Sequence, residues 1–179
     1  VMATIDLIVL GILKKEALSA YDIQKTVEYR NISRWVKIST PSIYKKVLQL
    51  EEKGYISSTI VKEGKMAEKA VYSLTETGNE EFEKLMLDIA SKPIYIFLDF
   101  NAVIVNLDSL SPERQRQCLD SIEKNVKIIK SYLEDNIERK KDMPEIPETG
   151  KAVMQQQYIL FQAIETWIAS VKEGFGKQS

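Results

Sequence analysis

The sequence contains no histidine and only one cysteine, Cys118. Without histidine the chain lacks the commonest general base and metal ligand, and neither a Ser-His-Asp nor a Cys-His catalytic arrangement can form. A single cysteine excludes a disulfide bond within the chain, and Cys118 has no clustered partners that would make a zinc site. A glycine-rich phosphate loop is also missing. We therefore expect that the protein is not an enzyme and that it uses no cofactor and no metal.

Strong net charge and long apolar runs are absent too. The formal net charge is −1 over 179 residues, so any contact with nucleic acid must come from local basic patches. The apolar start at residues 1–13 is interrupted by Asp6 and follows no basic region, unlike a signal peptide. The longest apolar run, Ile94–Leu107, is broken by Asp99 and Asn101 and is too short to span a bilayer. We expect a cytoplasmic protein without a membrane partner.

Two helices are predicted before residue 30. Residues 4–14 carry apolar side chains at helical spacing. Ser19 is a good N-cap, and Asp22 three residues later makes a variant of the capping box. The second helix is therefore predicted to run from Ala20 to Tyr29.

A third, short helix has clear ends in the sequence. Thr40 is a suitable N-cap, Pro41 fits the first helical position, and Gly54 fits the C-terminal end. On a helical wheel, three apolar residues form one stripe that should face a core: Ile43, Val47 and Leu50.

The opposite face of this helix carries the candidate DNA contacts. A hydroxyl near a helix N-terminus can bind a phosphate, and lysine and amide side chains can bind base edges in a major groove. The predicted contacts of the cap and helix are Thr40, Ser42, Tyr44, Lys45, Lys46 and Gln49. Two alternatives remain open: Tyr44 can be partly buried on the helix flank, and Lys46 can simply be solvated.

A β-hairpin is predicted next. Residues Tyr55–Val61 and Ala70–Leu74 alternate in strand fashion around a charged loop, and a further helix starts at Thr75. Three helices followed by a hairpin is the order of a winged helix, in which the hairpin tip reaches the flanking DNA. The candidate phosphate contacts here are Lys62, Lys65 and Lys69 on the hairpin, with Arg30 and Arg34 beside the duplex. The alternative is that the hairpin loop is only a solvated turn.

Several short motifs resemble one known family. Leu10–Leu13 and Leu18–Ile23 resemble the opening of PadR-type transcriptional regulators. Ser42–Tyr44 and Leu50–Ile56 resemble their recognition helix and its exit, and Tyr72–Gly78 resembles the second wing strand and the following turn. The resemblance implies a mainly α fold with a small β-hairpin, built as an N-terminal winged helix-turn-helix (1–92) and a C-terminal helical dimerisation domain (93–179).

The second half reads mainly as two long amphipathic helices. After Pro93, both helix and strand are open for the apolar run, and we favour helix because the run is long. One helix should extend from Ser111 to about Lys141, and a last helix from about Lys151 to Lys172. The predicted dimerisation residues are Leu119, Ile122, Val126, Ile129, Tyr158, Phe161, Ile164, Trp167 and Ile168. The alternative is that these side chains fold back onto the core of their own chain.

The expected function follows from the residues and the resemblance together. We expect a homodimeric repressor that binds double-stranded DNA at a near-palindromic operator. The competing hypothesis is a winged helix that docks onto other proteins without binding DNA, which the near-zero net charge favours. A small-molecule effector is a further possible partner. Four aromatic side chains could line its pocket or belong to the core: Trp35, Tyr158, Phe161 and Trp167.

Overall fold

The computed structural model describes residues 2–38, 42–62 and 68–176. The chain divides into two compact units, residues 1–94 and 95–179, which are described separately below. This division falls two residues after the boundary expected from the sequence.

The first unit combines four helices with a small antiparallel sheet. Its strands are β1 (Leu18–Ser19), β2 (Ile56–Val61) and β3 (Lys69–Leu74). They lie in the order β1-β3-β2, with Ile56 opposite Leu74 and Leu18 opposite Tyr72. The sequence predicted the β2–β3 hairpin but not β1, which is only two residues long. The elements are α1 (Met2–Leu13), β1 (Leu18–Ser19), α2 (Ala20–Tyr29), a 3-10 turn (Ile32–Arg34), α3 (Ser42–Glu52), β2 (Ile56–Val61), β3 (Lys69–Leu74) and α4 (Glu76–Ala90).

The predicted ends of α2 and the predicted C-terminal end of α3 are confirmed, whereas Thr40 and Pro41, predicted to start α3, lie outside the described residues. The Ser19 hydroxyl accepts a hydrogen bond from the backbone N–H of Asp22 at 3.2 Å and donates one to the Asp22 carboxylate at 2.6 Å. Gly54 has a φ of +74°, a conformation that L side chains rarely adopt. Its N–H donates to the Glu51 carbonyl at 2.8 Å, and the N–H of Tyr55 donates to the Leu50 carbonyl at 3.0 Å. Together these two bonds make a Schellman motif that ends α3.

The end of α3 is fastened to the start of α4. The Thr75 hydroxyl caps α4 by accepting from the Gly78 N–H at 3.0 Å, and it donates to the Gly54 carbonyl at 2.7 Å. The Thr75 N–H donates to the Tyr55 carbonyl at 3.1 Å. A Cβ atom added at Gly78 would lie 1.8 Å from that carbonyl oxygen, so only glycine permits this approach.

The core of the first unit forms between α1, α2, α3 and the sheet. The predicted apolar stripe of α3 (Ile43, Val47 and Leu50) is fully buried in it. The rest of this core is Ile5, Val9, Leu10, Ile12, Leu13, Ala20, Ile23, Val27, Ile32, Ile56, Tyr72 and Leu85.

The second unit contains two 29-residue helices, α6 (Pro112–Lys140) and α7 (Glu148–Gly176). Before them the only helices among the described residues are α5 (Asn101–Ile104) and a 3-10 turn (Leu107–Ser109). The expectation of a long helix after Pro93 is therefore wrong. Residues 93–98 have no regular structure, and the four apolar side chains at 94–97 are each at least 63% exposed. Such a segment has no packed apolar face to stabilise a helix.

The core of the second unit is small and corrects part of the predicted dimer interface. Its buried side chains belong to Leu107, Leu119, Ile122, Val126 and Ile168, and Phe161 and Ile164 pack against them. Four predicted dimerisation residues therefore fill the core of their own chain, as the alternative held, because one face of α6 lies against α7: Leu119, Ile122, Val126 and Ile168. Among the described residues, no helix is both long enough and apolar enough to cross a membrane.

Candidate nucleic-acid interface

The outer face of α3 presents the predicted side chains to solvent. Tyr44 keeps 61% of its surface exposed, and Lys45 is also exposed. Gln49 is half-buried, one turn further along the same face. The high exposure of Tyr44 argues against its burial on the helix flank. The structure adds Leu48, an exposed apolar side chain suited to contact with a thymine methyl group.

The position of Lys46 agrees with neither sequence interpretation, a DNA contact or a solvated side chain. Its side chain is only 7% exposed, and its Nζ atom lies 2.8 Å from Oδ1 of Asp6 on α1, a carboxylate that is itself 13% exposed. The side chain is therefore neither solvated nor directed toward a DNA groove, because it lies between α3 and α1. Lys46 leaves the set of candidate DNA contacts.

The strands of the hairpin carry two further candidates. Lys62 follows β2, and its Nζ lies 4.0 Å from the Glu68 carboxylate, with both side chains well exposed. Lys69, at the start of β3, lies 3.9 Å from the carboxylate of Asp22 on α2. Both lysines therefore have an acidic neighbour that offsets part of their charge.

Three predicted contacts cannot be placed. Thr40 and Lys65 lie outside the described residues, and the side chain of Ser42 is likewise not described. Their roles stay predictions, supported only by their positions in the sequence next to α3 and within the hairpin loop.

The region around α2 adds exposed groups that the sequence analysis missed. Tyr21 is exposed at the start of α2, and the Nζ atom of Lys25 lies 5.5 Å from the centre of its ring. A hydrogen bond to Glu28 raises the pKa of Lys25, which therefore stays charged at neutral pH. An aromatic residue two positions after the helix cap, four residues before a lysine, was the available signal. Arg30 and Arg34 are exposed just after α2.

One buried phenol lies behind the exposed face. Tyr72 on β3 is buried, and its burial raises its pKa, with smaller contributions from the nearby Glu51 and Tyr44. The hydroxyl therefore stays protonated at neutral pH.

The first unit also matches a known family in sequence. The model of the transcriptional regulator PadR-like family matches residues 9–84, from within α1 to within α4. The N-terminal unit is a PadR-like domain. The resemblance to PadR-type regulators is thus confirmed, and that family consists of transcriptional regulators rather than enzymes.

Solved structures of PadR-type proteins share the fold of the whole chain. Bacillus subtilis PadR in complex with operator DNA superposes with a TM-score of 0.81 at 21% identity, covering 96% of this chain and 99% of that one. The same protein in complex with p-coumaric acid gives 0.79 at 20% identity, covering 98% and 97%. The Vibrio cholerae virulence activator AphA gives 0.72 at 18% identity, covering 98% and 99%. The chain therefore shares the overall fold of these proteins. None of the curated proteins matches the chain in sequence.

In the second unit, α6 and α7 are joined by ion pairs along one side. Nζ of Lys130 lies 2.6 Å from the Glu165 carboxylate, and Nζ of Lys172 lies 2.6 Å from both Asp120 and Glu123. Hydrogen bonds to these carboxylates raise the pKa values of Lys130 and Lys172. The charged side chains therefore hold the two helices together at the edge of a small core.

Both long helices also carry exposed apolar side chains away from these ion pairs. At about 100° per residue, Ile128 and Tyr132 lie about 160° from Lys130 on α6. On α7, Leu160 and Trp167 lie about 140–160° from Glu165. We call the exposed apolar residues of the two helices the apolar side, and those used below are Ile128, Ile129, Tyr132, Leu160 and Trp167. Three predicted dimerisation residues are not part of the apolar side, because their side chains are half-buried: Tyr158, Phe161 and Ile164.

The four aromatic residues suggested for an effector pocket are not brought together within one unit. Trp35 belongs to the first unit, whereas Tyr158, Phe161 and Trp167 belong to the second. Phe161 packs on the core, and Trp167 stacks on Phe100 with ring centres 5.8 Å apart. Tyr158 borders an open groove of about 470 Å³ between α6 and α7.

Proposed function

We propose that this protein is a sequence-specific DNA-binding transcriptional regulator that acts as a homodimeric repressor. One observation carries the proposal: α3 buries its apolar stripe completely while Tyr44 and Lys45 stand on its exposed face, within a PadR-like domain. Bacillus subtilis PadR, which shares the fold, has been solved with operator DNA. We infer that α3 enters the major groove.

The side chains of this interface have distinct roles. Lys45 and Gln49 bind base edges, because their side chains project from the middle of the exposed face. Tyr44 donates its hydroxyl to a phosphate, which positions the protein without reading sequence. Lys62 and Lys69 bind flanking phosphates, and these contacts replace their ion pairs with the carboxylates of Glu68 and Asp22. Thr40, Ser42 and Lys65 complete the proposed phosphate contacts at the start of α3 and in the hairpin loop.

The apolar side of α6 and α7 is proposed as the dimer interface. The described part of the second unit buries only five apolar side chains, four of them on α6 and α7, whereas a second pair of helices packed on the first makes a four-helix arrangement with an interior. Isoleucine, tyrosine and tryptophan side chains suit the centre of such an interface. A two-fold axis then relates two copies of α3, so the operator should be nearly palindromic with half-sites about one helical turn, or a multiple, apart.

Repression, the effector and the location complete the proposal. A dimer that occupies a promoter blocks transcription by excluding the polymerase. The structurally similar AphA is described as an activator, so the placement of the operator decides whether binding represses or activates transcription. The complex of Bacillus subtilis PadR with p-coumaric acid supports a small-molecule effector for this chain as well. A regulator of this kind acts in the cytoplasm, where the chromosome lies.

A DNA titration tests the proposal. The purified chain is titrated onto the DNA upstream of its own gene and onto a scrambled duplex, each at two salt concentrations. We expect tight binding to the upstream DNA that weakens steeply with salt, because phosphate contacts release counterions. The double substitution Lys45→Ala and Lys65→Ala should abolish operator binding and leave the dimer and its helicity intact. The matched control Lys84→Ala removes an exposed lysine of α4 and should bind normally. Unchanged operator affinity in the double variant would rule out this interface.

A second candidate function is a protein-docking module that no longer binds DNA. The acidic neighbours of Lys62 and Lys69 favour it, because they reduce the positive charge of the wing. Salt separates the two functions. A docking module should bind both duplexes weakly and equally, without a steep loss of affinity as salt rises.

A further inference from the structure

The ion pair between Asp6 and Lys46 differs from the others in burial. Its two side chains are only 7% and 13% exposed. Each of the other described ion pairs has at least one side chain that is 25% exposed or more. It joins the middle of α1 to the middle of α3, directly beneath the proposed DNA-binding face. In the described part of the chain, Oδ1 of Asp6 accepts no hydrogen bond, so the ammonium group of Lys46 at 2.8 Å is its compensating partner.

Stability alone does not account for this pair. Removing two charges from water is costly, and well-packed apolar residues in the place of a buried ion pair are often as stable or more stable. The stripe of Ile43, Val47 and Leu50 already attaches α3 to the core. The close-packed apolar stripe limits the rotation of α3 about its axis. The ion pair adds a second attachment at 2.8 Å, on the flank of α3 that lies against α1, and so narrows the remaining rotation.

The rotation of α3 matters for DNA recognition. Side chains of a helix extend about 5–6 Å from its axis, so a rotation of about 20° moves an outward group by about 2 Å. Donor–acceptor distances in hydrogen bonds span only about 0.5 Å. A rotation of this size would therefore break contacts from Lys45 and Gln49 to base edges. Contacts to phosphates from long, flexible side chains would survive it better.

We propose that the Asp6–Lys46 ion pair is a positioning device for DNA readout: it fixes the rotation of α3 about its own axis and thereby sets sequence discrimination. Lys46 acts through Lys45 and Gln49 and does not touch DNA itself. This inference rests on the proposed function, since it requires a recognition helix.

The test compares discrimination with stability. The probes are a duplex selected by the parent protein from a randomised pool and a scrambled duplex of the same composition. The main variant, Asp6→Leu with Lys46→Met, replaces both charges by apolar side chains. We expect it to keep the helicity and thermal stability of the parent, to bind scrambled DNA as the parent does, and to lose about tenfold in the ratio of the two affinities. The single variant Lys46→Arg keeps the positive charge and should retain most of the parental ratio of the two affinities.

Each outcome decides something. A double variant that keeps the parental ratio overturns the inference while the proposed function stands. A parent that selects no sequence from the pool overturns the proposed function itself. If the double variant does not fold, Asp6→Asn, measured below its unfolding temperature, takes its place. It keeps the shape of the side chain and removes the negative charge, and the same loss of discrimination is expected. An unchanged ratio in Asp6→Asn would equally overturn the inference.

Discussion

The two units differ in how they are held together. Among the described residues, the first unit buries fifteen apolar side chains in one core, whereas the second buries five. The second unit adds ion pairs between α6 and α7 on one side and leaves apolar side chains of both helices exposed. The first unit thus has the interior of a complete small domain, and the second has that of half a helical bundle.

This difference assigns separate tasks to the two units. A domain with its own core can hold α3 rigidly and leave its polar face free for a ligand. A pair of helices with a thin core gains most by burying its apolar side against a second copy. We therefore expect core substitutions in the first unit to act on stability whatever the protein concentration. Substitutions on the apolar side of the second unit should act through association.

The largest effect is expected at Leu50. Leu50→Ala leaves a cavity beneath α3, because this side chain is fully buried, and should lower the free energy of unfolding by about 2–5 kcal/mol. The control Leu48→Ala shortens a leucine on the exposed face of the same helix and should cost less than about 1 kcal/mol. Chemical denaturation of both variants measures the difference. Equal losses would mean that α3 does not face the core as described.

The same comparison shows what the sequence could predict. The winged helix was predictable because its signals are local: Ser19 caps α2, Gly54 ends α3, and the apolar spacing of Ile43, Val47 and Leu50 defines a buried stripe. Strand β1 was not predictable, because two residues carry no periodic pattern. It exists only because β3 is there to pair with it.

The misplaced residues depend on contacts distant in sequence. A helical wheel puts Lys46 on the flank of α3, but only the packing of α1 brings Asp6 to it. The wheel likewise identifies the stripe of α6 that includes Ile122, but not whether α7 or a second chain covers that stripe. The run after Pro93 fits a helix in length, but residues 93–98 are not helical, and in the described structure the apolar side chains at 94–97 are largely exposed rather than packed.

A smaller but more specific effect is expected on the apolar side. Ile128→Ser with Trp167→Ser removes two exposed apolar side chains and should weaken dimerisation about 1,000-fold, since central interface residues contribute about 2 kcal/mol or more each. Sedimentation over a range of concentrations measures the dissociation constant. The control Met86→Ser removes an exposed apolar side chain from α4 and should leave the dimer unchanged. If the double variant remains as dimeric as the control, this side is not the interface.

The smallest effect concerns the ion-paired side of the second unit. Hydrogen bonds from Lys127 and Lys172 lower the pKa of Glu123 below its usual value. Its contribution to stability is therefore present above the ordinary glutamate pKa and is lost as the pH falls through the lowered folded-state value. Since the pair lies at the helix edge, we expect a contribution below about 1 kcal/mol. It should be visible as a steeper loss of thermal stability of the parent than of Glu123→Gln between about pH 5 and pH 3.

Lys172, an ion-pair partner of Glu123, contributes to stability with the opposite pH dependence and so provides a second check. The pKa of Lys172 is raised by Asp120 and Glu123, so its contribution persists below the ordinary lysine pKa and is lost only as the pH rises through the raised value. Between about pH 6 and pH 9 both groups are charged, and the parent and Glu123→Gln should differ by a constant amount. Glu173→Gln removes an exposed carboxylate from α7 and serves as the control. Parallel curves for the parent and Glu123→Gln down to pH 3 would mean that the ion-paired side contributes nothing, and that the small apolar core of the second unit holds α6 and α7 together.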